Sequence, residues 1–120
     1  MSPFHSPIRG QVYEVDIEGI GRKLWLVVSN NGRNSALDSV LAVRFTTSEK
    51  KERDSIVRVD PRNGEQFNGR ILCDDVMVLY KEELGPPKGG ITKTTMRQVD
   101  LALAAALGLD LDWIARQRRP

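Results

Sequence analysis

A chain of 120 residues, 40% hydrophobic and 28% charged, has the length and composition of one folded domain, which excludes wholesale disorder. A net charge of +2 permits a nucleic-acid surface without demanding one. One cysteine excludes an internal disulfide, and one cysteine with one histidine excludes a zinc cluster; Ser-His or Cys-His catalysis would have only His5 to draw on.

Residues 1–8 read as a flexible, Pro-containing leader without the apolar core of a signal peptide. No stretch approaches the roughly 20 apolar residues of a membrane span, so a cytoplasmic protein with no membrane partner is expected. Gln11 to Ile17 alternates apolar and polar residues, the pattern of a strand with Val12, Tyr13, Val15 and Ile17 available to a core. Glu18 to Arg22 is a short turn with Gly19 and Gly21. Lys23 to Ser29 is a nearly continuous apolar run with Trp25, Val27 and Val28, the length of a central strand buried on both faces. Trp25 is therefore read as core or dimer interface. Asn30 to Asn34 has turn chemistry, and Ser39 to Thr47 is again β-rich.

Ser48 to Asp54 is a charge run, read as a solvated loop. Ser55 to Val59 alternates as a short strand, and Asp60 to Gly69 carries Asp-Pro and Asn-Gly pairs, the marks of a loop or hairpin. Arg70 to Cys73 and Val76 to Tyr80 read as one strand or two, interrupted at Asp74 and Asp75; Leu84 to Gly90 reads as irregular. Thr92 is the expected N-cap of a helix with Met96, Val99, Leu103 and Leu107 on one face and Gly108 as its stop. A second short helix is expected within Leu109 to Arg116, followed by a basic tail with Arg116, Arg118 and Arg119. The sum is a mainly β (α+β) domain over 9–109, with about five short strands in a small antiparallel barrel, a C-terminal helix, and a helical basic tail over 110–120.

The order of these pieces resembles a known family. Arg9-Gly10-Gln11-Val12-Tyr13 resembles the opening strand of the MazF/PemK toxins, and Lys23-Leu24-Trp25-Leu26-Val27-Val28-Ser29-Asn30 their second strand. Asn34 falls where the family has an Asn after the following turn. Ala42-Val43-Arg44-Phe45-Thr46-Thr47-Ser48 resembles the third strand, Arg70-Ile71-Leu72-Cys73-Asp74 the fifth-strand region, and Thr92 to Leu109 the closing helix. No piece is specific alone, but together, in order, they span residues 9 to 109.

The resemblance implies an SH3-like barrel, a homodimer, a cognate antitoxin partner, and metal-independent cutting of single-stranded RNA, with no cofactor. In that chemistry the substrate's own 2′-hydroxyl attacks the adjacent phosphorus, leaving a 2′,3′-cyclic phosphate and a 5′-hydroxyl. The protein must accept the 2′ proton and stabilise charge on the phosphoryl oxygens. The family's Arg at the start of the second strand and Thr at the end of the third map to Lys23 and Thr46, and an acidic residue used by some members maps to Asp74. Lys23 replaces Arg and Leu24 replaces Pro, which exchanges a planar two-pronged phosphate grip for a compact charge. Leu72 stands where some members have Arg, and the first loop is short and lacks the His that some members carry there. A short loop would leave the groove open to structured RNA such as a tRNA loop. Arg22, Arg44 and Arg70 are candidate phosphate contacts, and Thr47 is a weaker one, because strand alternation would turn it away from Thr46. Three other readings stay open at this point: a toxin resembling CcdB, which acts on DNA gyrase by protein contact, a binding-only SH3-like module, and a homologue that binds RNA or antitoxin without cutting.

Overall fold

The computed structural model describes residues 6–118. Strands β1 (Gln11–Ile17) and β2 (Gly21–Val27) form a hairpin, with Ile17 opposite Gly21. Helix α1 (Asn31–Ala36) leads into β3 (Ser39–Thr46). After the charged loop come β4 (Ile56–Val59), a single 3-10 turn at Pro61–Asn63, and the long β5 (Gly69–Tyr80). A second 3-10 turn (Lys81–Glu83) and the two-residue β6 (Gly89–Gly90) precede helices α2 (Lys93–Leu107) and α3 (Leu111–Gln117). Every strand pairing is antiparallel, in the order β4-β5-β3-β2-β1-β6. The result is an open, curled sheet of SH3-like type with the C-terminal helices appended.

Both faces of the sheet bury apolar side chains. Val12, Leu26, Val43 and Ile71 pack with Val99 and Ala102 of α2 on one face, and Tyr13, Trp25, Val27, Ala42 and Leu79 pack on the other. That division is the period-2 alternation of neighbouring strands, and it explains why β2 reads as a continuous apolar run. Trp25 is 1% exposed, so it is core and offers no platform to a base.

Four local expectations change. Asn30 to Asn34 is more than a turn: Asn30 caps α1 by accepting from the Arg33 amide. The interruption at Asp74 and Asp75 is a bulge inside one strand, because Val43 pairs with Val76 but its neighbour Arg44 pairs with Leu72. Within Leu84 to Gly90, Gly89 and Gly90 add an edge strand beside Gln11 and Val12. On α2 the buried face is Thr95, Val99 and Ala102, with Met96 and Leu103 partly buried, whereas Leu107 is 64% exposed.

Of the leader, Met1 to His5 lie outside the described residues, as does Arg119 of the tail. Pro7 is buried, and the Ile8 amide donates to Gln11 Oε1 at 2.8 Å. Among the described residues, no helix is long and apolar enough to cross a membrane.

Candidate active site

The β2–β3 ladder pairs Val27 with Ala42, Leu26 with Val43 and Trp25 with Arg44, and then stops. Continuing the same register sets Lys23 across from Thr46, beyond the last paired residues. Here the two strands separate, since Lys23 stays paired with Val15 of β1 while Thr46 stays paired with Arg70 of β5. A cleft of about 240 Å³ opens in the gap, lined by Glu14, Arg22, Lys23, Thr46, Thr47 and Ser48.

Each side chain in the cleft has a distinct state. Lys23 is exposed and, among the described residues, has no ion pair. The Ser48 amide donates to Thr46 Oγ1 at 3.1 Å, which fixes the oxygen and leaves the hydroxyl hydrogen for an acceptor in the cleft. Arg22 lies 3.4 Å from Glu14 and 3.9 Å from Asp16, a solvent-facing cluster that a phosphate could rearrange at small cost. Thr47 lines the cleft together with Thr46, contrary to the alternation argument, because β3 ends at Thr46 and the chain no longer alternates.

Residues 8–107 match the PemK-like, MazF-like toxins of type II toxin–antitoxin systems. The chain belongs to that family. Endoribonuclease MazF1 of Mycobacterium bovis is 42% identical over 105 residues, covering 88% of this chain and 96% of the relative. Two solved structures agree with it. An endoribonuclease from mycobacterial species has 39% identity and a TM-score of 0.80, covering 90% of this chain and 97% of its own. An endoribonuclease in complex with its cognate antitoxin, also mycobacterial, has 42% identity and a TM-score of 0.79, covering 87% of this chain and 97% of its own.

In this PemK/MazF-family fold, Lys23, Thr46, Thr47 and Arg22 are brought together, and Asp74 and Arg44 are not. Asp74 lies in a separate groove with Lys50, Lys51, Arg53 and Arg44, where its carboxylate is 3.7 Å from Arg53 and 3.4 Å from the Ser55 hydroxyl. Arg44 Nε is 2.8 Å from Asp75 Oδ2, an ionic contact without hydrogen-bond alignment. The register is the reason: Thr46 pairs with Arg70, so Asp74 lies four residues further along β5, at the bulge beside Val43 and Arg44. Arg70 faces a third cleft, which adjoins the first.

Three cleft-forming residues escape sequence reasoning. Glu14 is the carboxylate among the cleft-lining residues, placed there by its pairing with Leu24. Asn68 lines the cleft from a loop that reads only as turn-forming. Gly69 has φ of 143°, and a Cβ there would sit 2.5 Å from the Thr46 carbonyl oxygen, so glycine alone lets β5 approach the end of β3. The Asn-Gly dipeptide was the available signal. Cys73 is no nucleophile: it is fully buried, and burial, followed by the Asp74 charge, pushes its thiol up to about 12. A larger apolar cleft of about 630 Å³, around Ile8, Tyr13, Leu84 and Pro86, contains none of the sequence-derived site residues.

Proposed function

We propose that this chain, an endoribonuclease toxin of the MazF class, cuts single-stranded RNA without a metal ion in the cleft between Lys23 and Thr46. The observation that carries the reading is the convergence of these two residues, from different strands, on one open cleft. The 2′ oxygen attacks phosphorus, the bond to the 5′ oxygen breaks, and a 2′,3′-cyclic phosphate and a 5′-hydroxyl result. The Lys23 ammonium and the Thr46 hydroxyl meet the phosphoryl oxygens as negative charge grows there. Glu14 accepts the 2′ proton, and water in the open cleft protonates the departing 5′ oxygen. Lysine in place of arginine keeps the charge but gives up the bidentate grip, so positioning falls more heavily on Thr46 and the flanking contacts.

The same reading gives the chain a cytoplasmic location, where its RNA is, and a cognate antitoxin, as one relative has been solved with its own. The exposed cations of the cleft suit an acidic antitoxin segment. A homodimer is supported by the apolar stripe of Val76, Val78 and Tyr80, which lies 41–48% exposed along one face of β5.

The test is cleavage of total RNA by purified protein in EDTA, beside Lys23→Ala, Thr46→Ala and Glu14→Gln, with the new ends sequenced. Discrete cuts with cyclic-phosphate ends, lost by 10²-fold or more in each variant, are expected. A folded, antitoxin-free wild type that leaves RNA intact would sink the reading.

A further inference from the structure

We propose that the cleft around Arg58 and Arg70 is a second phosphate subsite, which holds an RNA backbone phosphate flanking the scissile one, and that Glu49 fills it as a displaceable carboxylate until RNA arrives. The proposal rests on the RNA-cutting reading above and assigns it a second contact point.

Two observations carry it. First, this cleft of about 310 Å³ shares Thr47 and Asn68 with the Lys23–Thr46 cleft, so the two adjoin at those residues and one RNA strand can reach both. Second, its cations are poorly answered. Arg70 is 92% buried, yet its one ion-pair partner among the described residues is Glu49, at 3.3 Å, whose own side chain is 92% exposed. A guanidinium so far removed from water needs an anion, and an exposed surface carboxylate is the kind that a phosphate can displace. Arg58 stands directly across from Arg70 in the β4–β5 register and, among the described residues, has no ion pair. Arg62 is already committed, donating to Asp60 Oδ2 from Nε at 3.1 Å and from Nη2 at 2.8 Å. Asp60 also feels the charge of Arg58, though at no ion-pair distance, so among the described residues the cations left to a phosphate are Arg58 and, once Glu49 leaves, Arg70. Both are fixed on paired strands, which suits a positioning contact better than a loop lysine would.

The probe is an oligoribonucleotide built around the strongest mapped cut or, where the wild type makes none, around the centre of the tightest-binding sequence from a random single-stranded pool. It carries a 2′-deoxy sugar at the attacking or central position so that it binds without being cut. A set of such oligonucleotides carries one neutral methylphosphonate at each flanking position in turn. Wild type is expected to lose about tenfold in affinity at one flanking position. Arg58→Ala should lose a similar factor on the all-phosphate oligonucleotide and become indifferent to the methylphosphonate at that position. Its log K against log salt should flatten by about 0.7, the single-strand value for one lost phosphate contact. Glu49→Gln should bind several-fold tighter. Arg58 is exposed, so its variant folds, and its melting curve is run alongside to confirm that.

If no flanking methylphosphonate matters, or if the same position still matters in Arg58→Ala, the subsite is overturned. Failure to bind the oligonucleotide at all overturns it too. Binding with the expected pattern by a wild type that cuts no RNA keeps the subsite and removes the cleavage reading, so the two can fail separately.

Discussion

Strands β2 and β3 end very differently at their two ends. At the Ser29 end everything is closed. Asn34, 0% exposed, donates from Nδ2 to the Ser29 carbonyl at 3.0 Å and accepts from the Ser29 hydroxyl at 2.5 Å. The Leu41 amide donates to Ser29 Oγ at 2.9 Å, and Arg33 caps the arrangement on the Ser39 carbonyl at 2.9 Å. At the Lys23 end the ladder has stopped, the strands part, and an ammonium with no ion pair among the described residues and a half-engaged hydroxyl face a cleft. Polar residues of similar kinds serve the fold where each partner is internal, and remain available to a ligand where partners are missing. The lesson is that a polar residue at a strand end has no role until its partners are counted.

Substitutions at the two ends should therefore act on different observables. The largest effect is expected at the open end: Lys23→Ala should lower the cleavage rate by about 10²–10³-fold while leaving the urea midpoint nearly unchanged. Next comes the closed end. Asn34→Ala should cost about 1–3 kcal/mol of stability in urea unfolding, because it strands buried partners, while the folded fraction cuts RNA at the wild-type rate. A loss of stability in the first variant, or of rate in the second, would collapse the distinction between the two ends.

A third, intermediate effect sharpens it from another site that is wholly structural. Glu65, 5% exposed, accepts from the Thr92 amide at 3.1 Å and the Thr92 hydroxyl at 2.6 Å, and also from the Thr95 hydroxyl, tying the start of α2 to the sheet. Burial pushes its carboxyl up, but these hydrogen bonds outweigh burial and hold it below the usual glutamate range. A depressed carboxyl gives stability that is fully present above the unfolded value and lost as pH falls through the folded one. Stability should thus fall below about pH 4.3 in wild type and fall less steeply in Glu65→Gln, as read from urea midpoints across pH. The smallest effect is expected at the rim: Arg22→Ala breaks exposed pairs with Glu14 and Asp16 and should change stability by less than about 1 kcal/mol. Its readout is the salt dependence of RNA binding, which should weaken if Arg22 meets phosphate.

The residues themselves determined much of this protein. Alternation over Gln11 to Ile17, the apolar run ending at Ser29, the Thr92 cap and the Gly108 stop each fixed an element, since strand and helix periods and caps are local properties. The ordered pieces also pointed to the family, and so to Lys23 and Thr46. Tertiary structure alone decided what lies beside what. It set Asp74 in a groove apart from the Lys23–Thr46 cleft through a register that no dipeptide announces, and it brought Thr47 to that cleft because a strand ended one residue earlier. It supplied Glu14 and Asn68 from elements distant in sequence, and it gave Gly69 its reason through a contact with the Thr46 carbonyl. The physical cause is the same in each case: periodicity and capping act within a few residues along the chain, whereas register, bulges and cleft walls depend on which strands lie side by side.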